Sequence, residues 1–412
     1  MCSGISKSSS WVPMDRSPVS VPLLILKPTK SSLPSSQRFP ESLMSRFRVV
    51  IPALALTLAV VAAACSSSSA SGTKGFMDVA SIASSTGSAA AYGVTQQNGT
   101  KLAVSELADG SINLRTYDDR SDPQAGTDAM KMAIAEGASI VLGPTLSPVA
   151  LAADPIAQSA GVPVLGVTNA VLDMASIGNV VWRVSLSENA MVSASVKFAA
   201  TKKSVKNAVL IWEPADGYST GSAESFRAAA KANGISITSE QKYVEGSTSV
   251  GSIAAAATAS SPDAIFFALR SAVADDFLVA TASSKAVRVG GNGFNSAAVI
   301  SSSGAAADGL IVSGSWNINV ANSLSKKFVD SYTKANNAAP DSFAAQGYAA
   351  IEVVLAAMKK AKTTSSADIQ VALSKIGTVQ TVLGPFAYDA NHEPTYPAAV
   401  QIVQGGAFTL AS

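Results

Sequence analysis

Residues 140–148 read Ile-Val-Leu-Gly-Pro-Thr-Leu-Ser-Pro, and residues 160–167 read Ala-Gly-Val-Pro-Val-Leu-Gly-Val. Ile140–Leu142 is short and wholly apolar, which suits a parallel strand covered on both faces. Ser147 followed by Pro148 predicts a helix start, with the hydroxyl as N-cap and the proline at the first helical position. Ala160-Gly161 closes that helix, and Val162–Leu165 supplies the next buried strand. Strand, glycine turn, helix and strand make a βαβ unit with a right-handed crossover. Ligands of open parallel sheets sit at the carboxyl ends of the strands. Thr145, Leu146 and Ser147 fall at one such end, and Val167–Ala170 at the next. A hydroxyl and the N–H groups of a helix N-terminus there suit an anion such as a carboxylate. Ser147 acting only as a cap remains the alternative.

The same alternation extends in both directions. Upstream come a strand at Phe76–Ala83, a helix at Ala89–Leu107, a strand at Ile112–Tyr117, and a helix from Asp122-Pro123 to Gly137. The order is β-α-β-α-β-α-β, a doubly wound sheet. Downstream, Asn207–Trp212, Ile235–Gln241, Asp263–Leu269 and Val287–Gly290 read as strands. Between them lie a polar loop at Glu213–Gly221 and helices at Ser222–Ala232, Ser249–Ala259 and Phe277–Ser283. Ser325–Asn336 and Phe343–Lys362 read as helices, and Leu383–Tyr388 and Ala398–Val403 as closing strands. The fold class is therefore α/β, with two doubly wound parallel-sheet lobes and a cleft between them. Ligand pockets favour such interfaces.

A chain of 412 residues, 48% hydrophobic and 14% charged with formal net charge +2, can bury two cores. No basic stripe with interleaved aromatics points to nucleic acid. The cysteines are Cys2 and Cys65 and the histidine is His392, so no zinc cluster and no cofactor is expected. Residues 1–43 are rich in Ser and Pro and read as disordered, or as sequence ahead of a true start at Met44. Residues 44–64 have a basic start, Ser-Arg-Phe-Arg, and an apolar run from Val49 to Ala64, which is the pattern of an export signal. That run falls short of the roughly 20 residues a membrane span needs. Ala62-Ala63-Ala64-Cys65 resembles a bacterial lipobox, with Cys65 as the lipidated residue and 65–75 as a tether.

Several short motifs in fixed order carry a wider resemblance. They are Ser85-Thr86-Gly87 through Ala91-Tyr92-Gly93, Asn98-Gly99, Asp118-Asp119 with Ser121-Asp122-Pro123, and Leu142-Gly143-Pro144 with Ser147. Asp216-Gly217-Tyr218 with Gly221, Gly347-Tyr348-Ala349-Ala350 and Gly384-Pro385-Phe386 complete the set. Together they resemble the type I periplasmic binding proteins, in particular the branched-chain amino acid (Leu/Ile/Val) binding family of ABC importers. The resemblance implies two lobes joined by a three-stranded hinge, with crossings near Val184–Ser187, Ser313–Ser315 and Leu383–Pro385. Lobe 1 would combine 76–185 with 315–384, and lobe 2 would combine 186–314 with 385–412. It implies a monomer that closes on a small-molecule solute and is presented to ABC permease subunits. The protein would be exported and lipid-anchored through Cys65 on the outer face of the bacterial cytoplasmic membrane.

Candidate ligand residues carry over singly. Ser147 matches the carboxylate-binding serine, and Thr168-Asn169-Ala170 the loop that adds backbone contacts. Tyr92 and Tyr218 match the cleft aromatics. Asn292 stands where an acid for the α-ammonium is usual, and Arg270 where an aromatic is usual. An ammonium without a carboxylate loses a charge-assisted partner, and Arg270 would favour an anion. A carboxylate without free ammonium, an amide or a modified amino acid therefore fits as well as leucine. A ligand-sensing receptor domain of the same fold is one alternative. Another comes from a different class. Gly217-Tyr218-Ser219-Thr220-Gly221 matches the G-x-S-x-G elbow of serine hydrolases, with Asp389 and His392 following in order. Against it, Glu213–Asp216 separate the motif from its strand, and no oxyanion loop is visible.

Overall fold

The computed structural model describes residues 76–171, 174–320 and 322–411. The expectations for 1–43, 44–64 and the Cys65 tether lie outside these residues. The elements in order are β1 (Met77–Ala83), α1 (Ala90–Leu107), β2 (Ile112–Asp118), α2 (Pro123–Ala135), β3 (Ile140–Leu142), α3 (Ser147–Ala160), β4 (Val164–Gly166) and β5 (Val181–Arg183). Next come α4 (Glu188–Lys202), β6 (Asn207–Trp212), α5 (Gly217–Ala232), β7 (Ser236–Lys242), α6 (Val250–Thr258), β8 (Ala264–Ala268), α7 (Ala274–Ala280), β9 (Val287–Gly290), α8 (Ala297–Ser303) and β10 (Ile311–Gly314). The chain continues with α9 (Ser323–Asn336), α10 (Ser342–Ala361), α11 (Ser366–Leu373), β11 (Val379–Thr381), β12 (Gly384–Phe386), β13 (Ala399–Gln404) and β14 (Ala407–Leu410).

The strands form two large sheets. The first is parallel, in the order β2-β1-β3-β4-β5. The second runs β14-β13-β10-β9-β8-β6-β7, with β7 to β10 parallel and the β13–β14 hairpin antiparallel on its edge. Its central strands are apolar on both faces. Val209, Ile211, Ile265 and Phe267 bury on one side, and Ala208, Leu210, Ala264 and Phe266 on the other. That is the period-2 pattern of a strand covered by helices on both faces. In the first sheet Leu142, Leu165 and Trp182 face a core shared with α10. The parallel strands of the two sheets share one order, with the reversal between β1 and β3 in one and between β6 and β8 in the other.

Two of the glycines in the motifs have a packing reason. A Cβ on Gly99 would stand 2.0 Å from the Ala344 carbonyl oxygen, and one on Gly347 would stand 2.2 Å from that of Gln96. Helices α1 and α10 thus touch backbone to backbone where each lacks a side chain.

The chain passes between the sheets after β5, after β10 and before β13. Ser315 Oγ accepts the Leu186 N–H at 3.2 Å, which stitches the first two crossings together. The third crossing lies later than Leu383–Pro385. Phe386 and Tyr396 are buried in the first lobe's core. Tyr388 packs edge-on to Trp182 at 4.8 Å, and the Tyr396 hydroxyl donates to the Val184 carbonyl at 2.7 Å. These aromatics need the apolar wall that Trp182 offers, so residues 385–396 stay with lobe 1 and the chain crosses at 397–398.

Candidate functional site

Every loop that leaves a carboxyl strand end near the two sheet reversals opens onto one cavity of about 240 Å³. Its lining comes from the loops after β1 (Ser88, Ala89), β2 (Ser121), β3 (Thr145–Pro148) and β4 (Thr168–Ala170) in the first lobe. The second lobe supplies Asp216 and Tyr218 after β6, Arg270–Ala272 after β8, and Asn292 and Gly293 after β9. Tyr92 of α1 and Phe343 of α10 complete the wall, their rings 4.4 Å apart. Thus Tyr92, Ser147, Thr168, Asn169, Ala170, Tyr218, Arg270 and Asn292 all line the same space.

The first wall is built from neutral donors. Ser147 is not the helix cap. Leu146 holds that position, and Ser147 is the first residue of α3. Its Oγ instead accepts the Ala170 and Val171 N–H groups at 3.3 and 3.1 Å. The oxygen is thereby engaged as an acceptor, leaving its own proton to give. Thr168 Oγ1 lies 2.9 Å from Gln96 Oε1 and 3.1 Å from the Thr145 carbonyl. Gln96 Oε1 also accepts from Thr145 Oγ1 at 3.0 Å. Asn169 turns its amide into the loop, donating to the Pro144 carbonyl at 2.9 Å. Its own carbonyl accepts from Ser185.

The second wall is charged, and its balance differs from the sequence expectation. Arg270 does not present a free cation. Its Nε and Nη2 donate to Glu213 at 2.8 and 3.0 Å, and Nη2 also to Glu245 at 2.9 Å. Asp216 stands 3.8 Å away. The guanidinium charge is met by Glu213 and Glu245, and Asp216 is the acidic residue that lines the cavity beside it, so the free-cation reading of Arg270 does not hold. Burial pushes the Asp216 carboxyl up from its ordinary range, against its hydrogen bond from the Ser219 N–H.

The carboxylate missing at Asn292 has a counterpart behind it. Glu188, the first residue of α4, is fully buried. Its Oε1 accepts from the Ser222 hydroxyl at 2.6 Å and from Tyr218 Oη at 3.0 Å. The Asn292 N–H lies 3.2 and 3.3 Å from its two oxygens. Burial raises its carboxyl from 4.5 to about 6, in spite of those donors. Tyr218 Oη also accepts the Gly293 N–H at 2.8 Å, and Tyr92 Oη from the other lobe donates to the Gly293 carbonyl at 2.8 Å. Burial lifts both phenols above their ordinary value.

The polar stretch 213–221 is not all loop, since α5 starts at Gly217 with Asp216 as its cap. Ser219 sits inside that first turn, fully buried. Its Oγ accepts the Glu213 N–H at 2.6 Å and donates to the Ala268 carbonyl. His392 belongs to the other lobe, where it stacks on Trp182 at 3.6 Å. Ser219, Asp389 and His392 therefore form no nucleophile–base arrangement, and the hydrolase alternative fails on geometry.

Glu188, Gln96 and Phe343 have no part in the sequence reading of the site. Ser187, an N-cap whose Oγ accepts the Ala190 N–H at 3.3 Å, was the one local signal that a helix opens at Glu188.

Residues 77–407 match the family model described as periplasmic binding protein. A Leu/Ile/Val-binding protein of Rhizobium johnstonii is 23% identical over 329 residues, 76% of this chain and 88% of that protein. A leucine-binding protein of Thermotoga maritima superposes with a TM-score of 0.77 at 22% identity, covering 82% of this chain and 98% of that one. The branched-chain amino acid substrate-binding protein of Streptococcus pneumoniae, solved with isoleucine, gives 0.76 at 24% identity, with 82% and 99% covered. A solute-binding protein of R. palustris in complex with benzoate gives 0.73 at 23% identity, with 82% and 96% covered.

Proposed function

The chain belongs to the periplasmic binding protein family, and on that premise we propose that it captures a small zwitterion between its lobes. A branched-chain amino acid or a close relative is the solute class. The carrying observation is the contrast between the two walls. Ser147 Oγ–H and the N-terminus of α3 offer donors to a carboxylate. On the opposite wall Asp216 lines the cavity beside an Arg270 already paired with Glu213 and Glu245, and the buried Glu188 lies behind Tyr218 and Asn292. An ammonium is favoured there, and a simple anion is not. The relative solved with isoleucine supports this reading.

As a member of this family the protein works outside the cytoplasm. Its action is conformational, because contacts made to both walls favour the closed arrangement over the open one. The closed form is then presented to an ABC permease. We take the chain to act as a monomer, since one copy supplies both walls. We further propose export by residues 44–64 and a lipid on Cys65. Labelling with radioactive palmitate should mark the wild-type chain, and a Cys65→Ala chain should be unlabelled and shed to the medium. Label on the Cys65→Ala chain, or none on wild type, refutes the anchor.

The aromatic-acid reading rests on the Tyr92–Phe343 pair, which offers a flat apolar face, and on the benzoate-bound relative. One experiment separates the two. Thermal unfolding of the chain from Cys65 onward is measured with leucine, isoleucine, valine, their amides, benzoate and 3,4-dihydroxybenzoate. A ligand at 100 times its dissociation constant adds about 2.7 kcal/mol to stability. A shift by the amino acids supports the zwitterion. A shift by benzoates alone overturns it, and silence across the panel removes the whole solute class.

A further inference from the structure

We propose that Glu188 is a positioning residue for ligand capture, registering both walls of the cavity to the first crossing between the lobes. The inference rests on the cavity being the ligand site. Glu188 follows the crossing at residues 184–187 directly. Its backbone N–H donates to the Ala170 carbonyl at 2.8 Å, on the first wall. Its side chain serves the second wall, accepting from Ser222, Tyr218 and the Asn292 N–H. The turn after β9 is moulded onto it, since a Cβ on Gly291 would stand 2.2 Å from Glu188 Oε1.

An acceptor-only group is what this geometry needs. Because the carboxylate takes the Tyr218 proton, the phenol oxygen is free to accept the Gly293 N–H. That orients the Gly293 carbonyl toward Tyr92 of the other lobe. A glutamine would set an NH2 against one of the same donors. Helices α4 and α5 have no packing need of a charge here, as Val192 and Val196 already share a core with Ala223 and Phe226. From α5 the carboxylate meets Tyr218 and Ser222, and from the turn after β9 a backbone N–H. Among the described residues no Lys, Arg or His forms a salt bridge with it. A buried ion without a countercharge costs stability, and burial accordingly holds its carboxyl up at about 6. A residue kept for the fold alone would not carry that cost.

The test is Glu188→Gln in the full chain, read in three ways. The ligand-free melting temperature should equal or exceed that of wild type. Amide exchange at Asn292 and Gly293 should quicken at least tenfold, while β9 keeps its rate. Affinity for isoleucine, measured by calorimetry, should fall at least tenfold. A lowered melting temperature with exchange quickened throughout lobe 2 would make Glu188 merely structural and overturn the proposal. Wild-type exchange at 292–293 would overturn it too. If isoleucine does not bind wild type, the ligand reading fails by itself, and the exchange arm still decides the role of Glu188.

Discussion

Replacing Arg270 with methionine separates a built ion cluster from a solvated surface charge. Glu213 is 4% exposed and receives two guanidinium hydrogen bonds, at 2.8 and 3.0 Å. Truncating one member of a fully buried pair costs about 3–5 kcal/mol, because the other charge is left without a partner. Arg270 is itself 28% exposed, so water can reach part of the site, and the expected loss drops to about 2–3 kcal/mol. The bond to Glu245, whose side chain is 67% exposed, adds about 0–1 kcal/mol. Replacing both members of the pair behaves differently, since neither then leaves the other as an orphaned charge, and Asp216 keeps its hydrogen bond from the Ser219 N–H at 2.7 Å. Arg270→Met with Glu213→Gln should therefore recover to within about 1 kcal/mol of wild type. Urea unfolding followed by circular dichroism gives all corners of the cycle. A single Arg270→Met chain within about 0.5 kcal/mol of wild type would refute the reasoning, because surface substitutions lie in that band.

Tyr92→Phe keeps the ring on Phe343 but removes the bond to the Gly293 carbonyl, which on the proposed hinge motion forms on closure. At about 1–3 kcal/mol for such a group, calorimetry with the solute should show at least a fivefold weaker affinity and little change in ligand-free stability. Gly143→Ala should destabilise by about 2 kcal/mol or more. Its φ is +105° and a Cβ would stand 1.9 Å from the Ile82 carbonyl oxygen, so an unchanged urea midpoint would argue against this loop. Burial raises the Glu352 carboxyl to about 7 from 4.5. A raised carboxyl is stabilising in its protonated form, so its contribution is full below about 4.5 and lost as pH rises through about 7. Unfolding free energy should fall by about 1–2 kcal/mol between pH 5 and pH 8 through this group, and Glu352→Gln should flatten that fall.

Several strands buried on both faces were legible, but Val181–Arg183 and Ile311–Gly314, equally buried, were not read as strands. Ile140–Leu142 and Ile265–Phe267 have no polar residue to confuse the period, and glycine and proline mark their ends. The location of the candidate cavity followed from the strand ends, and all eight nominated residues line it. What each side chain does there was not legible. Ser147 reads locally as a cap, but Ala170 and Val171, two loops away, compete for its oxygen. Arg270 reads as a cation, yet Glu213 and Glu245 lie 57 and 25 residues away and cancel it. The start of α5 was hidden because Gly217, Ser219 and Gly221 are poor helix formers. There the Asp216 carboxylate, accepting the Ser219 N–H at 2.7 Å, and tertiary packing decide the matter. The Ser147 and Arg270 misses share one cause: the partner that fixes the group comes from a distant part of the chain.

Gly293 is where the two walls of the cavity meet, and its chemistry explains how a symmetric pair of sheets yields an asymmetric clamp. Tyr92 reaches its carbonyl from lobe 1, and its N–H is held by Tyr218 in lobe 2. No side chain fits there, since a Cβ would stand 2.2 Å from the Leu269 carbonyl oxygen. The lobe 2 hold runs on through Tyr218 to Glu188 and is made entirely within that lobe. The lobe 1 hold is a single phenol. On the proposed hinge motion, opening the cleft breaks the Tyr92 bond, while the Glu188–Tyr218–Gly293 hydrogen bonds lie within lobe 2. On that proposal lobe 2 carries a preformed surface into closure, and the Ser147 hydroxyl of lobe 1 completes it.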